Sequence, residues 1–321
     1  MQIGYHASHE QYSPSELLTL VQEAEAAGFD AIMASDHFSP FSLRQGNSGY
    51  VWSWLGAAMA KTQVGFGTVN APGQRYHPAI VAQGIATLAE MFPGRLWVAL
   101  GSGQFINERI TGDPWPSEAD RDKRLGECAR IIRALLHGET VTSEGMVRVK
   151  EARLFTRPTS MPLLFGAAIT PETAAWIAPW ADGMVTVVQD REKMQAAVDA
   201  FRKHGGGDKP MYLQAQVSFD ETYDLALEGA YDQWRMSVLT SDEIVNAQTP
   251  EEIDRLSEKV SRDDVAKRVR VSADPEEQLS WLEDDKAMGF DAIYIHNVNR
   301  NQRPFITTFG SKVLPALRQT R

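Results

Sequence analysis

Cysteine is almost missing: one residue, Cys128, in 321. That excludes a disulfide framework and a multi-cysteine zinc site. Within "RLGECARIIRALL" Cys128 reads as buried filler of a helix rather than a nucleophile. Positive charge is also short, with 32 Lys and Arg against 42 Asp and Glu and a formal net charge of −10. A general nucleic-acid binder would need a basic stripe, so that partner class is not expected. A small anionic ligand held by a few local cations stays open. No apolar stretch approaches the roughly 20 residues of a membrane span. The opening "MQIGYHASHEQY" has neither a basic n-region nor a long apolar h-region. The expectation is a cytoplasmic protein with a small-molecule substrate and no membrane partner. No linker divides the chain, so a single domain over 1–321 is expected.

What is present begins with a repeat. "EAEAAGFDAIMASDH" at 23–37 and "DDKAMGFDAIYIHNV" at 284–298 each read as a helix closing on glycine, then a short apolar strand. Gly28 and Gly289 suit the left-handed cap that ends a helix. Eight such strands are expected, at 2–7, 29–35, 64–70, 95–101, 162–168, 183–188, 211–219 and 291–297. Most are continuously apolar, as strands covered on both faces must be. Helical patterns separate them, at 14–27, 52–60, 78–91, 120–137, 171–180, 190–204 and 276–288. The fold class expected is α/β, a (β/α)8 barrel, with a doubly wound sheet as the alternative. The likeness of the first and last units favours a closed ring. Residues 138–161 read as an inserted hairpin before strand 5. Residues 220–275 form a helix-prone excursion between strands 7 and 8, long enough to be a lid or binding element.

Polar side chains gather where these strands end. They are His6, His9 and Glu10 after strand 1, Asp36 and His37 after strand 2, Thr68 and Asn70 on strand 3, and His296 and Asn297 on strand 8. Barrel chemistry sits at this carboxyl face. His37 therefore reads as functional ahead of a strand cap, and Asp36 as an orienting group. Glu10 and His296 each divide between site and structure, and His77 reads as a helix cap. A metal site is not expected, because strand 1 carries no HxH and strands 4 to 6 end without acidic ligands. "GSGQFINE" at 101–108 is a glycine-rich turn opening a helix, without the spacing of a dinucleotide fingerprint or a P-loop. With the small residues "GAA" at 166–168, it points to a flat aromatic cofactor across the barrel mouth.

"ASDHFSP", "GFGTVNAP", the run from "RYHPAIVAQ" to "GSGQFINE", and "VSADPEEQ…GFDAIYIH" together resemble the bacterial luciferase-like superfamily. Within it they are most similar to the deazaflavin (coenzyme F420) branch, near F420-dependent glucose-6-phosphate dehydrogenase, over nearly the whole chain. The resemblance implies hydride transfer with F420 or, in a subgroup, FMN; a reduced-FMN monooxygenase is the alternative. It implies His37 and Glu10 as catalytic residues. It implies Asp36, Thr68, Val69, Asn70, Ser102, Gly103, Gln104, Asn107, Ala167, Ala168 and Ile169 against the cofactor. Phe41 and Lys267 are implied on the substrate. It further implies a non-prolyl cis peptide at Val69–Asn70, a bond costing about 3–4 kcal/mol, and a homodimer, for which the apolar helix at 50–60 is the only hint in the residues.

The departures are informative. The sugar-phosphate enzymes carry a catalytic glutamate where this chain has Gln104, and an amide cannot supply a proton at neutral pH. They carry tryptophan at the position of Phe41, and a phosphate-binding lysine near Asp190. Glucose 6-phosphate is accordingly not the expected substrate.

Overall fold

The computed structural model describes residues 1–319. Eight parallel strands close into a ring: β1 (Gln2–Ala7), β2 (Ala31–Ala34), β3 (Gly65–Asn70), β4 (Leu96–Leu100), β5 (Leu163–Ala167), β6 (Gly183–Val187), β7 (Met211–Ser218) and β8 (Ala292–Asn297). Closure is made by β8 on β1, where Gln2 lies opposite Ala292 and Tyr5 opposite Ile295. The open doubly wound alternative is thereby excluded. The expected strands are all found, the first with the expected bounds and the others one or two residues shorter at one or both ends.

The repeated "GFDAI" works the same way twice. Helix Pro14–Ala26 starts at a Ser13 cap and buries Leu17, Leu20, Val21 and Ala24, an i, i+3, i+4, i+7 stripe against the barrel. It stops before Gly28, whose φ of +98° is open to glycine without a Cβ clash. Asp30 then accepts the backbone N–H of Ile3 at 2.9 Å. Asp291 accepts that of Met211, and Asp182 that of Leu164, at the same distance. A carboxylate at the foot of β2, β6 and β8 thus ties each strand to its neighbour's first free donor.

The barrel is plugged at mid-height. Trp97, Phe165, Tyr212 and Tyr294 pack together inside it, and Trp97 Nε1 donates to Tyr294 Oη at 2.9 Å. Gly67 makes room: a Cβ there would collide with the Trp97 indole. Above the plug the inward positions become small or polar. They are Val69, Gly101 and Ala167 on one side, and His6, Gln214 and His296 on the other.

Two elements depart from the minimal barrel where expected. A hairpin of Val141–Glu144 and Arg148–Ala152 is pinned by Glu127, which accepts from Ser143 Oγ, Met146 N and Val147 N. The excursion holds helices Tyr223–Trp234, Ser241–Asn246, Pro250–Leu256 and Arg262–Arg268, then a two-residue strand, Arg270–Val271, on the edge of β7. Capping boxes at Thr240/Glu243 and Ser261/Asp264 start two of these short helices. The chain then closes with helices Gln302–Thr308 and Leu314–Gln319, which the periodicity did not reveal.

Candidate active site

β1 and β2 end side by side, and their loops bring Glu10 and His37 together. Glu10 Oε1 lies 2.6 Å from His37 Nδ1. The other oxygen accepts Ser8 Oγ at 2.7 Å and Ser35 Oγ at 2.8 Å. Glu10 is buried, which pushes its carboxyl up. The adjoining His37, its hydrogen bond and that of Ser8 outweigh burial and hold the group well below the ordinary carboxylate range. An ionised Glu10 can only accept, so His37 Nδ1 carries a hydrogen. The remaining nitrogen, Nε2, belongs to a side chain 26% exposed, turned to the mouth where a ligand can reach it. Phe41 stands edge-on to this imidazole, ring centres 4.9 Å apart.

Asp36 faces the helix side, beneath the same loop. Its oxygens accept Asn70 Nδ2 at 2.7 Å and Tyr76 Oη at 3.0 Å, while Arg75 donates to its backbone carbonyl at 3.0 Å. Arg75 also joins Glu108, through its backbone N–H at 2.7 Å and its Nε at 3.3 Å. Asn107 Oδ1 accepts the backbone N–H groups of Phe38 and Ser39 at 2.9 and 3.1 Å. The loops after β2, β3 and β4 are therefore held as one unit by Asp36, Arg75, Glu108 and Asn107. Arg75, Tyr76, Ser8, Ser35 and Glu108 were not among the expected site residues. The "RY" just before "HP" was the available signal, since a cation and a phenol at a strand end need a partner.

Other expected positions divide. Val69, Gly101 and Ala167 line the inner wall and are half-exposed to the mouth; Ser102, Gly103 and Gln104 follow on the rim. Gly103 has φ +86°, a conformation that favours glycine. A Cβ on Gly101 would meet nothing closer than Ala167 Cβ at 3.6 Å and Val69 Cγ1 at 3.9 Å. That leaves a shallow bed of small side chains, the shape a flat ring requires, so the residues present fit a flavin-like group. Thr68 and Ala168 instead point outward into the helix layer, buried, and Ile169 is exposed on the loop. The expected cis bond at Val69–Asn70 is corrected: no peptide among the described residues is cis. Asn70 is fastened to Asp36 on the outer side of a trans-linked strand. Lys267 lies on the exposed face of helix Arg262–Arg268, paired with Asp264 at 3.7 Å. Asp190 is exposed beside Lys193. His77 caps its helix as expected, accepting from Ala79 N.

A roof covers part of the mouth. Phe41 and Ile106 pack with Met236, Ala247 and Ile253 of the excursion, with Trp234 beside them. Arg44 from the loop after β2 pairs with Asp254 at 2.8 Å, and Ser42 Oγ donates to the same carboxylate at 2.7 Å. Trp234 stands edge-on to His296, centres 4.7 Å apart.

Known proteins share this fold. The luciferase-like monooxygenase family model matches residues 1–292. The F420-dependent glucose-6-phosphate dehydrogenase of Beutenbergia cavernae is 34% identical over 99% of this chain and 98% of its own. That of Microbacterium testaceum is also 34% identical, with the same coverage. A solved F420-dependent secondary alcohol dehydrogenase, in complex with an F420–acetone adduct, superposes with a TM-score of 0.90 at 29% identity, covering 99% of both chains. The chain belongs to the luciferase-like monooxygenase family, on the side of its F420-dependent dehydrogenases.

Proposed function

We propose that this chain is an F420- or flavin-dependent oxidoreductase that moves a hydride between the cofactor ring and the carbon of a small alcohol or carbonyl substrate other than glucose 6-phosphate. The observation that carries the reading is the His37–Glu10 pair at the same carboxyl face of the barrel as the small-residue bed of Val69, Gly101 and Ala167. When bound, the cofactor supplies the hydride acceptor or donor. Everything else falls to the chain. In alcohol oxidation the hydride leaves carbon, and the hydroxyl proton goes to His37 Nε2. Glu10 orients the imidazole and stabilises its positive charge, as a buried carboxylate on Nδ1 does. Gln104 cannot donate a proton, which leaves the transfer to His37 in this reading. Ser102 and Gly103 would hold the cofactor from the rim, and Asp36, Asn70 and Asn107 hold the loops that would shape its bed.

Against glucose 6-phosphate stand the position near Asp190, which presents a carboxylate, and Lys267, engaged by Asp264 on an exposed face. The family also contains monooxygenases, and the decisive test separates the two chemistries. The apoprotein is titrated with F420 and FMN by fluorescence; the complex is then mixed anaerobically with 2-propanol. Bleaching of the oxidised cofactor with formation of acetone is expected. Tight binding of neither cofactor would overturn the proposal. Turnover only with oxygen, yielding an oxygenated product, would move the chain to the monooxygenase reading.

A further inference from the structure

The inner wall above the aromatic plug is divided. β3 to β5 offer Val69, Gly101 and Ala167, while β1, β7 and β8 offer His6, Gln214 and His296. The polar half is buried: His6 is 5% and His296 2% exposed, their rings 4.4 Å apart.

Hydrogen bonds fix which atom holds each proton. Gln11 Nε2 donates to the backbone carbonyl of Val298 at 2.7 Å, so Gln11 Oε1 is an acceptor. His296 Nε2, 3.0 Å from that oxygen, must donate. Burial lowers the His296 pKa well below its ordinary value, so the ring is neutral and its Nδ1 is a bare acceptor. Gln214 Nε2 serves that acceptor at 3.4 Å with one amide hydrogen and His6 Nε2 at 3.5 Å with the other. His6, held neutral by burial with its pKa lowered to about 4, then carries its single hydrogen on Nδ1. That N–H is buried and has no acceptor among the described residues. A native interior seldom leaves a strong donor unmatched without a use for it.

We infer that His6 is a substrate-binding residue whose Nδ1–H donates to an oxygen of a neutral substrate seated on the β1–β7–β8 side of the mouth. This rests on the reading that the reaction occurs at the mouth; if a flat cofactor lies on the small-residue half, the polar half is left to the substrate. The wall presents no charge: His6, Gln214 and His296 are neutral, and Phe41, Trp234 and Met236 roof the space with apolar surface. An uncharged hydroxyl or carbonyl compound suits it. An ionised phosphate or carboxylate would meet no counter-charge there.

Two substitutions divide the imidazole. His6→Asn keeps an amide hydrogen near the Nδ1 position and loses the reach to Gln214. His6→Gln keeps the reach and loses the Nδ1 donor. In the full chain with 15N-labelled histidine and cofactor bound, the Nδ1–H resonance of His6 is identified by its disappearance in His6→Gln. Addition of 2-propanol or 1,2-propanediol is expected to move it saturably. In turnover, His6→Gln should raise KM roughly fivefold to tenfold, the range of one hydrogen bond. Cofactor affinity and Tm should hold, and His6→Asn should return KM to within about twofold. A resonance that neither probe moves would overturn the inference. So would equal KM in both variants accompanied by equal loss of Tm, which marks a purely structural histidine. If the wild-type chain bleaches no cofactor with either alcohol, the oxidoreductase reading fails separately, while the resonance still decides the role of His6.

Discussion

Glu10 and His37 meet at 2.6 Å, one buried and also accepting from two serine hydroxyls, the other open to the mouth. The carboxylate is buried behind the imidazole, so its effect on a substrate passes through His37. Glu10→Gln should lower kcat by about 10²-fold and His37→Ala by about 10²–10³-fold, typical of a lost acid–base group. The double variant should be little worse than His37→Ala, because the two act as a unit. Steady-state kinetics with the cofactor saturating provide the check; multiplicative losses would show that the residues act separately.

Acid should destabilise the fold in a defined window. His6 and His9 are buried, and burial lowers each pKa to about 4. Their unfolded forms titrate near 6.5, so between those values the unfolded chain binds more protons than the folded one. Stability is then complete above pH 6.5 and declines as pH falls toward 4, by up to about 1.4 kcal/mol per pH unit for each histidine. His9, whose ring nitrogens have no partner, packs edge-on against Trp54 at 4.8 Å. His9→Leu should flatten the slope of Tm against pH over that range. An unchanged slope would remove His9 from the account.

Gly101 offers a test of the ring bed that leaves the fold alone. Its added Cβ would make ordinary contacts of 3.6 and 3.9 Å, so Gly101→Ala should keep Tm near wild type. Bulk projecting into the bed should weaken cofactor binding at least tenfold by fluorescence titration. Unchanged affinity would place the ring elsewhere.

The roof hangs on Asp254, which holds both Arg44 and Ser42. Asp254→Ala leaves a half-buried guanidinium without its closest partner. Limited proteolysis should then cut within 38–50 faster than in the wild type, and KM for the substrate should rise more than the Kd of the cofactor. Identical cleavage rates would show that the apolar contacts of Phe41 and Met236 suffice.

Much of this architecture was legible in the residues, and the reason is local. Glycine ends to helices, continuous apolar strands and the doubled "GFDAI" are properties of short segments, so the barrel and its hairpin could be read directly. Asp36, His37 and Glu10 were legible as a group because strand ends converge in a closed ring. What escaped was contact between distant segments. Arg75 joins Asp36 to Glu108 across three loops, and Gln214 bridges two histidines 82 and 208 positions away. Glutamine and arginine occur everywhere on surfaces, so nothing local marks them. The two C-terminal helices were hidden by Pro304 and Pro315, which break the periodicity that reveals a helix.

The aromatic plug has a kinetic consequence. With Trp97, Phe165, Tyr212 and Tyr294 sealing the ring below, whatever occupies the upper chamber arrives and departs by one doorway. A flat ring on the inner wall is then buried by any substrate that follows it. On the proposed reading traffic is ordered, with the redox partner first in and last out, and product-inhibition patterns should be competitive only between its oxidised and reduced forms.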